Sequence, residues 1–294
     1  MRVRPLTPRD LPGLHARFRL LCAPIRHGFS PGYDEFAEPL AAVPPHLADA
    51  EVLVAERADV PLAFVRVGVA LRVSRWTLAS AGDTLLFGPF CLPQDAEAGA
   101  CLLSYVVDSV RARSSAPIWA FDPCEAASMP AYNGGVALLS EQLPHVARIL
   151  AAQGFRVQHR ELCMELANPP RRAPSSAPAG LSAHHGEREG ETTVALTTPD
   201  GQPVGECRYS LMNPRRSRHP AARTTGYIDA LCVADRFQGR GLGRWLLAEA
   251  LRDLAEMGAA SVRLTTGAQN VRAQGLYYSV GFALAGSCIA LKRP

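Results

Sequence analysis

The chain has 294 residues, 48% of them apolar and 20% charged. That balance excludes a disordered or fibrous polymer, and the length suits two ordinary domains or one large one. The net charge of +4, from 31 basic and 27 acidic residues, is too slight an excess to argue for a nucleic-acid partner. Every basic residue except Lys292 is arginine, which beside the abundant alanine reads as coding bias. No apolar run approaches the ~18–20 residues of a spanning helix. The opening Met-Arg-Val-Arg-Pro-Leu-Thr-Pro-Arg-Asp is charged and broken by proline, so no membrane span or secretory leader is expected, and the expected compartment is the cytoplasm. The eight cysteines (Cys22, Cys91, Cys101, Cys124, Cys163, Cys207, Cys232 and Cys288) include no C-x-x-C pair. They are expected to be buried free thiols, with no metal site.

The first half alternates strand and helix signals. Residues 2–6 predict a short strand. Thr7-Pro8-Arg9-Asp10 opens a helix, with a Thr cap, a Pro at the first helical position and an acid in the first turn. A second short helix covers 34–42 and stops before Pro44-Pro45. Residues 51–56 and 62–73 form a hairpin around Asp59-Val60-Pro61. Residues 84–91 are a third long strand, 101–113 a helix, 118–121 a strand, 143–153 a helix ended by Gly154, and 155–166 a strand. Residues 168–190 are dominated by Pro, Ser, Gly and charge and keep no hydrophobic period, so they read as a linker. His184-His185 within it have no carboxylate or cysteine cluster nearby in sequence and are read as solvated.

After the linker the order returns. Residues 192–197 and 204–211 form a hairpin around Asp200-Gly201-Gln202-Pro203, and 227–233 are a strand. Residues 244–257 are a helix with Leu246, Leu247, Ala250, Leu251, Leu254 and Met257 on one stripe, ended by Gly258. Residues 261–266 are a strand, 270–280 a helix ended by Gly281, and 283–291 the last strand. This is an internal repeat. Pro61 and Pro203 are 142 positions apart, Cys91 and Cys232 are 141 apart, and Gly154-Phe155 and Gly281-Phe282 are 127 apart. The expected domains are therefore 1–167 and 191–294, joined by 168–190. The second copy lacks the first strand and first two helices.

The sharpest chemical signal is the run from Leu231 to Arg244, where a strand enters a turn holding Gly239, Gly241 and Gly243 and a helix follows. Glycines admit close backbone approach and positive φ, and a helix N-terminus adds positive potential, so this is a cradle for a pyrophosphate. It is not the dinucleotide G-x-G-x-x-G, and position 263, where an acid would be wanted, is arginine; nor is it the lysine-bearing nucleotide phosphate loop.

Gln238-x-x-Gly241-x-Gly243 after Leu231-x-Val233 resembles the Q/R-x-x-G-x-G/A signature of the GNAT N-acetyltransferases. Asn270-x-x-Ala273-x-x-Leu276-Tyr277-x-x-x-Gly281-Phe282 resembles that family's second signature helix. The resemblance covers 191–294 in motif and 1–167 in element order alone. It implies an α/β (mixed α+β) protein of two tandem GNAT-like domains, each a mixed, mostly antiparallel sheet flanked by helices. It implies acetyl transfer from acetyl-CoA to a primary amine by direct attack. The backbone of Leu231, Cys232 and Val233 would pair with the pantetheine arm. Gln238, Gly239, Arg240, Gly241, Leu242, Gly243 and Arg244 would hold the pyrophosphate, and Asn270 would touch the cofactor near its thioester or pantetheine end. Tyr277 would be the general acid toward the departing thiolate, and Asp229 either the base toward the incoming ammonium or a wall of the acceptor pocket.

The first copy fails these tests. Its counterpart turn, Pro93 to Ala100, is three residues short, keeps one glycine and carries Asp95 and Glu97; Asp229 is matched by Gly88 and Tyr277 by Leu150. It reads as a degenerate, non-catalytic domain. It, or an arginine-rich loop over 213–223, is a candidate to complete the acceptor side; Arg215, Arg216, Arg218 and Arg223 in that loop read first as a solvated hairpin loop and otherwise as a site recruiting an acidic acceptor. Two other readings stay open: an acyl-CoA-binding sensor without turnover, and a transferase for a longer acyl-CoA. The expected partners are acetyl-CoA and an amine, with no nucleic acid and no membrane, in a monomer or homodimer.

Overall fold

The computed structural model describes residues 1–26, 28–71, 77–123, 137–171, 176–188, 191–212 and 223–294. In chain order the elements are β1 (Arg2–Pro5), α1 (Leu11–Cys22), α2 (Tyr33–Ala41), β2 (Leu47–Arg57), β3 (Val60–Ala70), β4 (Thr84–Cys91), α3 (Ala96–Arg111), β5 (Ile118–Ala120), β6 (Leu139–Ser140), α4 (Pro144–Ala152) and β7 (Arg156–Ala167). There follow β8 (Ser182–Arg188), β9 (Glu191–Thr197), β10 (Pro203–Leu211), β11 (Thr225–Val233), α5 (Leu242–Glu256), β12 (Ser261–Gly267), α6 (Val271–Val280) and β13 (Ala283–Arg293). The chain divides into two compact units, residues 1–161 with 286–294, and residues 162–285.

In the first unit the strand order is β1-β2-β3-β4-β5-β13, with β6 also on β13. Every pairing is antiparallel except β4–β5. The β2–β3 hairpin turns through Ala58 (φ 49°) and Asp59 (φ 61°). Two left-handed residues match the right-handed twist of the strands they join. Phe18, Phe36, Phe64 and Phe90 form a ring-on-ring core with centroids 5.2–5.9 Å apart. Arg66 is buried at 2% exposure and donates to the carbonyls of Pro39, Leu40 and Ala42 at 2.7, 3.0 and 3.0 Å. It thereby satisfies the carbonyl end of α2, where a helix leaves acceptors unpaired and favours a cation. Burial pulls its pKa down to about 10, which leaves it charged at neutral pH.

In the second unit the strand order is β7-β12-β11-β10-β9-β8, with β11–β12 parallel and β8 to β11 antiparallel. Helix α5 packs its stripe of Leu246, Leu247, Ala250, Leu251 and Leu254, all 0% exposed, against β9, β10 and β11. Gly226 on β11 permits this approach, because a Cβ there would stand 2.9 Å from a Leu254 methyl.

Three features depart from the sequence reading. Residues 182–188 lie inside the expected linker yet form β8, paired from Ser182–Thr197 to Arg188–Glu191. An exposed edge strand has no buried face, so it shows no apolar alternation. Each unit also carries the other copy's final strand: 162–167 of β7 belong to the second unit and 286–293 of β13 to the first. The expected boundaries of 1–167 and 191–294 assumed that each copy keeps its own. Helix α3 begins at Ala96, after a 3₁₀ turn over Pro93–Asp95, so the first copy's counterpart of the glycine turn is largely helical.

Candidate active site

The site forms where β11 parts from β12. Their parallel ladder runs from Thr225–Ser261 to Ile228–Leu264 and ends there. Residues 229–233 continue on the other edge, paired to β10 as far as Val233–Gly205. Beyond Ile228, therefore, β11 has no ladder partner on its β12 side among the described residues. At the parting point Arg208 pairs with Ala230 and Tyr209 with Ile228, so Asp229 is the extra residue of a β-bulge. Leu231 and Val233 are half-buried, and the side chain of Cys232 is exposed.

The strand leads into the glycine turn. Gly239 and Gly241 both stand at φ +77°, with nothing within 4 Å of the place a Cβ would occupy. Gly241 caps α5, and its carbonyl accepts from Trp245 N at 3.1 Å. The N–H groups of Leu242, Gly243 and Arg244 precede that first helical bond and are free to point at an anion. Arg236 and Arg240 lie over the Phe237 ring at 4.8 and 5.6 Å, and Arg244 donates to Ser279 at 2.8 Å. Gln238 is committed to the scaffold: its amide donates to Val233 O at 2.8 Å and Asp235 at 2.9 Å, and its carbonyl accepts from Arg272. The open turn, the helix N-terminus and the surrounding arginines fit a pyrophosphate.

Asn270 caps α6, its side-chain oxygen accepting from Ala273 N at 3.1 Å. Tyr277, one face of α6 further on, is 7% exposed and packs its ring 5.8 Å from Phe282. Burial, with a smaller contribution from the Cys207 thiol, pushes its pKa up to about 12. Tyr278 points outward at 48% exposure. Asp229 is 3.4 Å from Arg208.

The first unit treats the matching strand differently. All eight positions of β4 are buried. Its ladder to β5 ends at Leu86–Ala120, and the next residue, Phe121, donates its N–H to Leu86 O and sets its ring 5.5 Å from Phe90. The ladder thus runs one bond further here, into a packed aromatic pair, on a strand that is buried throughout.

Arg208, Arg236 and Arg272 were not singled out by sequence. Arg272 reaches Gln238 across 34 positions and shows no local signal; Arg208 is set beside Asp229 by the register and bulge of the β10–β11 pair, which no local pattern fixes. The acid the fold brings to His185 is Asp253, 3.4 Å away and far off in sequence. Of the arginine-rich loop, Arg215, Arg216 and Arg218 lie outside the described residues, and Arg223 is exposed. Among the described residues no helix is long and apolar enough to cross a membrane.

Comparison with known proteins bears on this geometry. The Acetyltransferase (GNAT) family model matches residues 160–282. A search of curated proteins finds no match. Among solved structures, a tandem GNAT protein from the clavulanic acid biosynthesis pathway is similar, with TM-score 0.71 and 13% identity over 99% of this chain and 98% of that one. A GCN5-related N-acetyltransferase from Sphaerobacter thermophilus is similar with TM-score 0.62 and 13% identity over 99% and 95% of the two chains. A GCN5-related glucosamine N-acetyltransferase region of a fungal multi-domain enzyme gives TM-score 0.72 and 12% identity, over 99% of this chain and 38% of that one. At these identities the structures speak to fold, and the family match speaks to descent. Residues 160–282 match the Acetyltransferase (GNAT) family model, and the whole chain shares the fold of a tandem GNAT protein.

Proposed function

We propose that the second unit transfers an acetyl group from acetyl-CoA to a primary amine of a small molecule or protein by direct attack, and that the first unit is a degenerate copy without a cofactor site. The observation that carries this is the unpaired edge of β11 running straight into the left-handed glycine turn at the start of α5. Residues 229–233 offer about 15 Å of backbone edge at ~3.3 Å per residue. That joins a phosphate at Gly239–Gly243 to a reacting centre beside Asp229 through one extended arm, paired to the backbone of Leu231, Cys232 and Val233.

Bound acetyl-CoA supplies an activated acyl carbon and a thiolate leaving group. The chain's residues do the rest. Gln238 braces the turn, Arg240 and Arg244 balance phosphate charge, and Asn270 orients α6. In the transfer the amine nitrogen bonds to the acyl carbon and the carbon–sulfur bond breaks. The arriving ammonium loses two protons. Asp229 accepts one and passes it to solvent. Tyr277 gives its proton to sulfur and is recharged by the second. A phenol with pKa of about 12 is fully protonated at neutral pH, as a donor must be.

The test is calorimetric titration with acetyl-CoA, followed by a free-thiol assay across a panel of amines. Absence of acetyl-CoA binding refutes the reading. Binding without turnover on any amine favours the sensor, and faster turnover with a longer acyl-CoA favours that variant of the transferase.

A further inference from the structure

Arg208 is a largely buried guanidinium whose Nε is unsatisfied among the described residues and whose ion pairs are long. It stands on β10 opposite Ala230, at the bulge that extrudes Asp229, where β11 leaves β12. Its side chain is 21% exposed, and its nearest acids are Asp229 at 3.4 Å and Glu206 at 3.8 Å. Both separations exceed the ~2.7–2.9 Å of a charge-assisted hydrogen bond. Its Nε is buried and has no hydrogen-bond partner among the described residues. Other arginines of the same unit are tightly held. Arg252 is 2.6 Å from Asp253 and 3.0 Å from Glu249, and Arg263 is 3.2 Å from Glu165.

A buried donor without an acceptor is costly, so an arginine kept in this state at the reacting end of a substrate groove calls for a ligand. The guanidinium fork matches a carboxylate through two parallel hydrogen bonds. The flanking carboxylates of Asp229 and Glu206 match an ammonium. One cation between two anions suits a molecule bearing both charges a few atoms apart. A polyamine or a plain alkylamine would leave Arg208 unanswered and set cation against cation.

We propose that Arg208 anchors the carboxylate of the acceptor, and that the acceptor is an amino carboxylate, such as an amino acid or a compound built like one, whose ammonium faces Asp229 and Glu206. This rests on the acetyl-transfer reading of the site.

The experiment uses the full-length protein and paired probes: amino acids, each beside its own carboxamide, with a free-thiol readout. Acetyl-CoA affinity is measured separately by calorimetry. The expected result is a preference for the carboxylate member of roughly 10- to 100-fold in kcat/KM, the worth of a charged hydrogen-bonded contact. In Arg208→Gln that preference should collapse toward unity through a higher KM for the carboxylate member, while acetyl-CoA Kd stays within about two-fold. Arg208→Lys should recover part of it. Should Arg208→Gln fail to fold, the wild-type preference and competition by simple carboxylates against the acceptor still decide. Equal or better use of the carboxamides overturns the proposal. So does acetylation of plain amines with no turnover of any amino carboxylate. Failure of acetyl-CoA to bind overturns the acetyl-transfer reading itself and is seen before any acceptor is added.

Discussion

Replacing Tyr277 with phenylalanine removes one oxygen from a packed position. The ring is 7% exposed and held against Phe282 with centroids 5.8 Å apart, and it belongs to the second unit's core with Leu246, Leu247 and Leu264. Phenylalanine keeps that packing, so stability near neutral pH should change by less than about 0.5 kcal/mol. Acetyl-CoA affinity should stay within about two-fold. Turnover should fall ~10²–10⁴-fold, the usual contribution of a positioned general acid, provided chemistry limits the rate. Alkaline stability supplies a second readout. The phenol is raised from an ordinary 10 to about 12 in the folded chain. Its contribution is therefore complete below pH 10 and is lost as pH climbs to 12, because the unfolded chain ionises first. Two pH units correspond to about 2–3 kcal/mol at most. Wild type should lose stability to the variant across that window and nowhere below it. The assays are thiol release under saturating substrates, calorimetry, and denaturant melts from pH 7 to 12. Near-wild-type turnover of the folded variant at all pH values would refute the acid assignment and turn attention to Tyr278 or water.

Acetyl-CoA should bind once per chain, since β4 is buried throughout and leads into a 3₁₀ turn and helix in place of an open glycine turn; two equivalent sites by calorimetry would contradict this. Gly241→Glu should abolish acetyl-CoA binding in a folded protein, because the new carboxylate sits over the phosphate turn. The left-handed φ of +77° adds about 1–2 kcal/mol of strain, and Gly241→Ala separates the two effects by keeping the strain without the charge. Retained affinity in Gly241→Glu would place the phosphate elsewhere. Arg66→Met should destabilise the first unit by roughly 2–4 kcal/mol in urea, by stranding the carbonyls of Pro39, Leu40 and Ala42; a change under 1 kcal/mol would deny Arg66 that role.

The glycine turn and the Asn270–Phe282 helix were legible in sequence because both are local. Positive φ at Gly239 and Gly241, the capping of α6 by Asn270 and the inward stripe of α5 all follow from residues within a few positions of one another. The repeat was legible too, since both copies keep the same order of periodicities. Long-range pairing was not. That 162–167 join the second sheet and 286–293 the first depends on which strand edges are vacant, and apolar strands of similar length satisfy either edge equally well. Ser182–Arg188 escaped notice because an exposed edge strand buries no face and leaves no period to read. The open edge of β11 and the unsatisfied Nε of Arg208 are likewise absent from any local pattern. They lie where two strands distant in sequence part at Ile228 and Leu264, beside the bulge at Asp229. Sequence by itself determined the repeat and the glycine turn; tertiary structure decided which strands exchange and where β11 parts from β12, because hydrogen-bond partners far apart in the chain are chosen by the edges that packing leaves free.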